Sequence, residues 1–179
     1  MTGVKKEAGV YLVLGSNLGN RLEHLIGAVG RLKKLAVSRL TVSSVYETEP
    51  VGVEGGAFYN LAVGFKTTLG PEGLLEKLLE IEKSFGRVRR TGKILPRTLD
   101  IDILFYSHQR IKTPLLEIPH PRLPERGFVL IPLAEIAAGF RHPVLGTTVA
   151  QLLEEGGFGF GVRWAGKLEE LLRLEKVRE

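Results

Sequence analysis

Alternation of apolar and polar positions is sharpest at residues 99–106, where Leu99, Ile101, Ile103 and Phe105 alternate with Asp100 and Asp102. A period of two marks a strand with one face on an apolar core, so both carboxylates point the same way. Residues 10–14 are a short apolar run ending in Gly15-Ser16-Asn17-Leu18-Gly19-Asn20, the pattern of a buried strand entering a loop. Asn20 and Glu23 then make an N-cap pattern, and Leu22, Leu25, Ile26, Val29 and Leu32 keep helical spacing to around Leu35. Residues 40–47 alternate and carry β-branched side chains, which predicts a second strand. A third follows at 58–67, antiparallel to the second across a loop at 48–57 with one proline and three glycines. Pro71 opens a second helix with Leu74, Leu75, Leu78, Leu79, Ile81 and Phe85 in register, ending near Gly86.

This order, β-α-β-β-α-β, predicts an α+β fold: a ferredoxin-like core in which an antiparallel sheet carries two helices. Beyond it the pattern predicts a strand over 111–118, a proline-stiffened loop at 119–128, and a helix over 128–137 with Pro132 near its start. A short helix at 147–155, a strand or irregular stretch at 158–164 and a terminal helix at 167–177 complete the chain. With no repeat or linker, residues 1–179 are expected to form one domain, core about 9–140, with 141–179 as an extension packed on it and the last twenty residues as a cap on the sheet. Such a scaffold says nothing by itself about chemistry.

Composition narrows the chemistry. Among the 179 residues hydrophobic content of 44% and charged content of 25% are globular values. Cysteine is absent, which excludes disulfides and thiolate metal sites. No apolar run approaches the roughly eighteen residues of a membrane span, and the first residues lack a signal-peptide core, so a cytoplasmic protein without membrane contact is expected. Net charge is +5, and Arg87, Arg89, Arg90, Lys93 and Arg97 lie in one eleven-residue loop that holds no acid. That concentration favours a local anion site over a protein-wide basic surface. Neither G-x-x-x-x-G-K-[ST] nor G-x-G-x-x-G occurs, so the strand, glycine turn and helix at 10–35 are not a nucleotide loop of either known kind.

A lone D-x-D describes a solvated strand face more readily than a metal site. Here a basic, glycine- and proline-bearing loop feeds directly into the paired aspartates, a combination that suits a polyphosphate held by arginines and magnesium together. Two residues along a strand span roughly 7 Å, room for one hard cation between the carboxylates or for two. Asn60, inside an apolar run, is either satisfied by local backbone or positioned to read the edge of a flat heterocycle. His120 and Arg126 flank the rigid loop in the same suspected anion-binding region.

Several stretches together carry a resemblance: Gly15-Ser16-Asn17-Leu18-Gly19, Ser43 through Gly52, Phe58-Tyr59-Asn60, Gly86-Arg87-Val88-Arg89, Pro96 through Asp102, Pro119-His120-Pro121-Arg122 and Arg126-Gly127-Phe128. In order from about residue 10 to residue 140, they resemble the 6-hydroxymethyl-7,8-dihydropterin pyrophosphokinase family of folate biosynthesis. The resemblance implies transfer of the terminal pyrophosphate of ATP to the pterin hydroxymethyl group, with release of AMP. It implies two magnesium ions on Asp100 and Asp102, and ATP contacts from Arg87, Arg89, Lys93, Arg97, Ile103, His120 and Arg126. Arg87, Lys93 and Arg97 join the two aspartates as catalytic residues. It implies a pterin pocket of Thr48, Pro50, Val51, Phe58, Asn60 and Phe128, with the two phenylalanines stacked on the ring and Asn60 at its edge. Loops at 15–20, 48–57 and 87–96 correspond to the family's mobile catalytic loops. Lys93, Ile94 and Leu95 depart from the residues that well-known members carry there. A monomer is implied, with a homodimer as the alternative.

Two rivals stand beside this reading. A ferredoxin-like nucleic-acid-binding module would use a basic loop, but would also want aromatics among its cations, and residues 87–97 hold none. A catalytically silent pterin-binding relative would most simply have lost an aspartate, and both are present.

Overall fold

The computed structural model describes residues 3–50, 54–88 and 95–178. Val51, Arg89 and Lys93 of the expected site therefore lie outside the described residues, as does Ile94. Strand β1 (Ala8–Ser16) leads to helix α1 (Arg21–Leu32), two short strands β2 (Thr41–Val42) and β3 (Val45–Thr48), the long strand β4 (Phe58–Thr67), helix α2 (Pro71–Ser84) and strand β5 (Asp100–Tyr106). All pair antiparallel, in the order β5-β1-β4-β3, with β2 also on β4. The β-α-β-β-α-β succession expected from the pattern is thus present. Asn20 caps α1 through its side chain, which accepts from Glu23 N at 3.1 Å.

Two apolar layers sandwich the sheet. On one face Leu12, Leu14, Leu61, Val63, Ile101 and Ile103 meet Leu22, Leu25 and Leu32 of α1 and Leu74 and Leu78 of α2. On the other, Val13, Ala62 and Leu104 meet Val129, Leu130 and Leu133 of α3 (Gly127–Ala137) and Val149 and Leu152 of α4 (Val149–Gly156). The central strands are therefore apolar on both faces, except near their ends toward Ser16 and Asp100.

Four details differ from the sequence expectation, each for a local reason. Phe105 does not continue the row of Leu99, Ile101 and Ile103. Tyr11 pairs with Phe105 but Leu12 with Ile103, so Leu104 is an extra residue in β5 and Phe105 turns to the α3 face. The strand expected over 40–47 breaks at Ser43 and Ser44: Ser43 Oγ accepts from Ala62 N, and Ser44 N donates to the Glu135 carboxylate. Residues 111–118 form a small hairpin, β6 (Ile111–Lys112) with β7 (Glu117–Ile118), because Thr113 Oγ1 accepts from Leu115 N and Leu116 N and turns the chain at Pro114. Finally, the tail does more than cap the sheet. Strand β8 (Val162–Gly166) pairs antiparallel with β3 and becomes the sheet's edge, and α5 (Leu168–Arg178) packs along α1.

Candidate active site

The cavity of interest, about 440 Å³, opens on the α3 face where the apolar pattern stops. Strand pairing lays its floor. Gly15 on β1 stands between Asp100 on β5 and Asn60 on β4, and Val13 between Asp102 and Ala62. One row across the sheet therefore reads Asp100, Gly15, Asn60, Tyr46, with neighbouring strands roughly 4.8 Å apart. Gly15 is required there: a Cβ at that position would lie 2.8 Å from Asn60 Oδ1. Asn60 is buried, and its amide donates to Thr48 Oγ1 at 2.9 Å. Phe58 from β4 and Phe128 from the first turn of α3 complete the lining.

Asp100 is held by two arginines. Its Oδ1 accepts a short hydrogen bond from Arg87, and its Oδ2 accepts from Arg97 Nη1 at 2.7 Å. Arg87 is itself fixed from behind by buried Glu82, at 2.6 Å, and the same Glu82 oxygen accepts from Ile101 N. The Asp102 carboxylate accepts no hydrogen bond among the described residues. Burial pushes its carboxyl up to about 7, assisted by the charges of Asp100 and Glu82, while Arg126 and Arg87 pull the other way. Burial and Arg122 lower the pKa of Arg126, and the two aspartates oppose that shift. His120 is also lowered, first by burial and then by Arg126.

The charge balance inside the cavity decides what it can hold. Glu49, Asp100, Asp102 and Glu125 line it against Arg97, Arg122 and Arg126. An anionic polyphosphate would meet more acid than base there unless a cation came with it. Two carboxylates on one face are a fitting donor set for magnesium, which fills its remaining positions with phosphate oxygens and water rather than with a protein cage. Among the described residues no cluster of three or more acidic or histidine ligands occurs.

Three loops meet at buried Asn17. Its Oδ1 accepts from Arg97 N at 2.7 Å, its own amide nitrogen donates to Arg97 O at 3.0 Å, and its side-chain amide donates weakly to Gly56 O at 3.4 Å. Asn17 thus fixes where Arg97 enters the cavity.

The structure brings Thr48, Phe58, Asn60, Arg97, Asp100, Asp102, Arg126 and Phe128 into one cavity, with Arg87 directly behind Asp100. It does not place Pro50 or His120 in the lining; His120 borders a separate cleft with Arg110 and Lys112. Ile103 is buried in the core under α1 and α2, on the opposite face. Glu49, Arg122 and Glu125 line the cavity without having been singled out in the sequence. Adjacency to Thr48 and Arg126 was the available signal for Glu49 and Glu125; Arg122 lay within a quoted motif.

Comparison with known proteins agrees with this geometry. The profile of the family 7,8-dihydro-6-hydroxymethylpterin-pyrophosphokinase (HPPK) matches residues 11–138. The 2-amino-4-hydroxy-6-hydroxymethyldihydropteridine pyrophosphokinase of Bacillus subtilis is 51% identical over 130 residues, covering 70% of this chain and 76% of the relative. The Aquifex aeolicus enzyme of the same name is 42% identical over 139 residues, 76% of this chain and 85% of the relative. Against the folic acid synthesis protein fol1 of Pneumocystis carinii the chain is 42% identical, but spans only 20% of that longer protein. The fold matches wild-type HPPK-DHPS of Plasmodium falciparum with TM-score 0.67 at 17% identity, over 86% of this chain and 45% of that one. The chain belongs to the 7,8-dihydro-6-hydroxymethylpterin-pyrophosphokinase family, the ATP-dependent diphosphotransferases of folate biosynthesis.

Proposed function

We propose that this cavity binds magnesium ATP beside 6-hydroxymethyl-7,8-dihydropterin and transfers pyrophosphate between them. The row Asp100, Gly15, Asn60 carries the reading, because it sets a cation-binding carboxylate and a heterocycle-reading amide on one floor roughly 10 Å apart. Asn60 reads the pterin edge while Thr48 fixes its amide, and Phe58 and Phe128 take the ring faces. Arg97, Arg126 and Arg87 serve the phosphates. We extend the phosphate role to Arg89, Lys93 and His120, and the pterin role to Pro50 and Val51, on the resemblance alone. The pterin hydroxymethyl oxygen attacks the β-phosphorus, the bond from that phosphorus to the α-phosphate oxygen breaks, AMP leaves, and the hydroxyl proton passes to solvent. Asp100 and Asp102 would hold two magnesium ions, which supply charge neutralisation on the phosphoryl oxygens and acidify the attacking alcohol. Positioning supplies much of the remainder.

The acid-rich lining supports a small nucleotide carried with its cation over a polynucleotide tracked by basic side chains. We further propose a single-domain monomer acting in the cytoplasm; among the described residues no helix is long and apolar enough to cross a membrane. The test is to incubate the protein with ATP, magnesium and the pterin and to resolve the nucleotides. Pterin-dependent AMP without ADP is expected; ADP, or AMP formed without pterin, would overturn the assignment.

A further inference from the structure

The C-terminal segment outside the family match at 11–138 meets two elements that line the cavity, α3 at Gly127 and β3 at Thr48. Phe158 seats on the first residue of α3: a Cβ at Gly127 would lie 2.5 Å from Phe158 Cβ, and one at Gly156 1.9 Å from its ring. Four residues on, β8 pairs with β3, which carries the lining residue Thr48: Val162 stands opposite Thr48 and Arg163 opposite Glu47, with an ion pair between the latter two. At its end Lys167 donates to Glu135 Oε1 at 2.7 Å. Glu135 is the carboxylate on α3 that accepts from Ser44 N and Oγ and from Tyr46 Oη on β3. One segment therefore rests on Gly127, next to Phe128, and clamps the strand that carries Thr48.

We infer that residues 158–167 are a positioning element that sets the separation of the Phe128 and Thr48 walls and thereby the affinity for the pterin. The inference rests on the pterin reading of that cavity. Among the described residues no strand pairing, side-chain hydrogen bond or ion pair joins this segment to β5 or to Arg97, which face the nucleotide, so the two ligands should respond differently.

The experiment compares Phe158→Ala, Lys167→Met and Lys167→Arg with the wild type. The pterin is titrated in the presence of magnesium and a non-hydrolysable ATP analogue, and the analogue is titrated alone. Folding is followed through Trp164, the sole tryptophan. Expected are a pterin Kd raised about tenfold in Phe158→Ala and about threefold in Lys167→Met, with analogue Kd within about twofold and Lys167→Arg near wild type. Lys167 is exposed, so its variant reports even where Phe158→Ala folds poorly. A lowered melting temperature with both affinities unchanged, or equal loss of both, would overturn the inference and leave a structural brace. A wild type that fails to bind pterin at all would overturn the functional reading together with it.

Discussion

A methyl group at Gly15 would press on Asn60 Oδ1, and Asn60 could yield only by breaking its bond to Thr48. Gly15→Ala is therefore expected to weaken pterin binding about tenfold while nucleotide binding stays within about twofold, read by titration with each ligand. Equal loss of both would contradict the role given to Asn60. Phe128→Ala should likewise weaken pterin binding far more than nucleotide binding, since only the pterin presents a ring face to that wall. At this scale the alternation along residues 99–104 was enough to place Asp100 and Asp102 together, and a polar residue in an apolar run was enough to mark Asn60. Asn17 was not legible as a junction: its partners lie 39 and 80 residues away, and no local period encodes them. Ile103 differs: the alternation assigned its side chain to the core, where the structure has it, and the ATP contact given to it rests on the resemblance alone.

Among the elements, the contact between α3 and β3 depends on one carboxylate. Burial alone would raise Glu135, yet hydrogen bonds from Lys167, Ser44 and Tyr46 hold it down to about 2, below its ordinary 4.5. A depressed folded pKa means that the ionised form stabilises the fold fully above about pH 4.5, and that this contribution fades as pH falls toward 2. Its size is on the order of 2 kcal/mol, because the group is partly exposed. Urea unfolding should show Glu135→Gln less stable than wild type by about that amount at pH 7, with the gap narrowing below about pH 4.5 and closing only near pH 2. A gap independent of pH would mean that shape, not charge, holds the helix. The same carboxylate explains why the second strand was only half legible. Its residues have strand propensity throughout, but Ser44 spends its backbone donor on a helix 91 residues away, and the strand breaks there. The extra residue Leu104 is similar: the pattern shows the apolar run, and only the register against β1 shows which face Phe105 takes.

For the molecule as a whole, the net charge of +5 misleads about the site. Positive charge is in excess along the chain, yet the described lining holds more carboxylates than guanidinium groups. Nucleotide binding should accordingly depend on magnesium: chelating the metal is expected to weaken binding of a non-hydrolysable ATP analogue by at least about a hundredfold, measured calorimetrically. Undiminished binding without metal would mean that the arginines suffice. The central claim is that the two aspartates at the open end of β5 serve the reaction and not the fold, and single-turnover AMP formation by Asp102→Asn tests it most directly. The substitution keeps the shape and removes a buried charge that Asp100 and Glu82 oppose. Turnover should fall at least about a thousandfold, with pterin affinity unchanged and a melting temperature equal to wild type or higher. Turnover within about tenfold of wild type, or loss of the fold, would contradict the assignment.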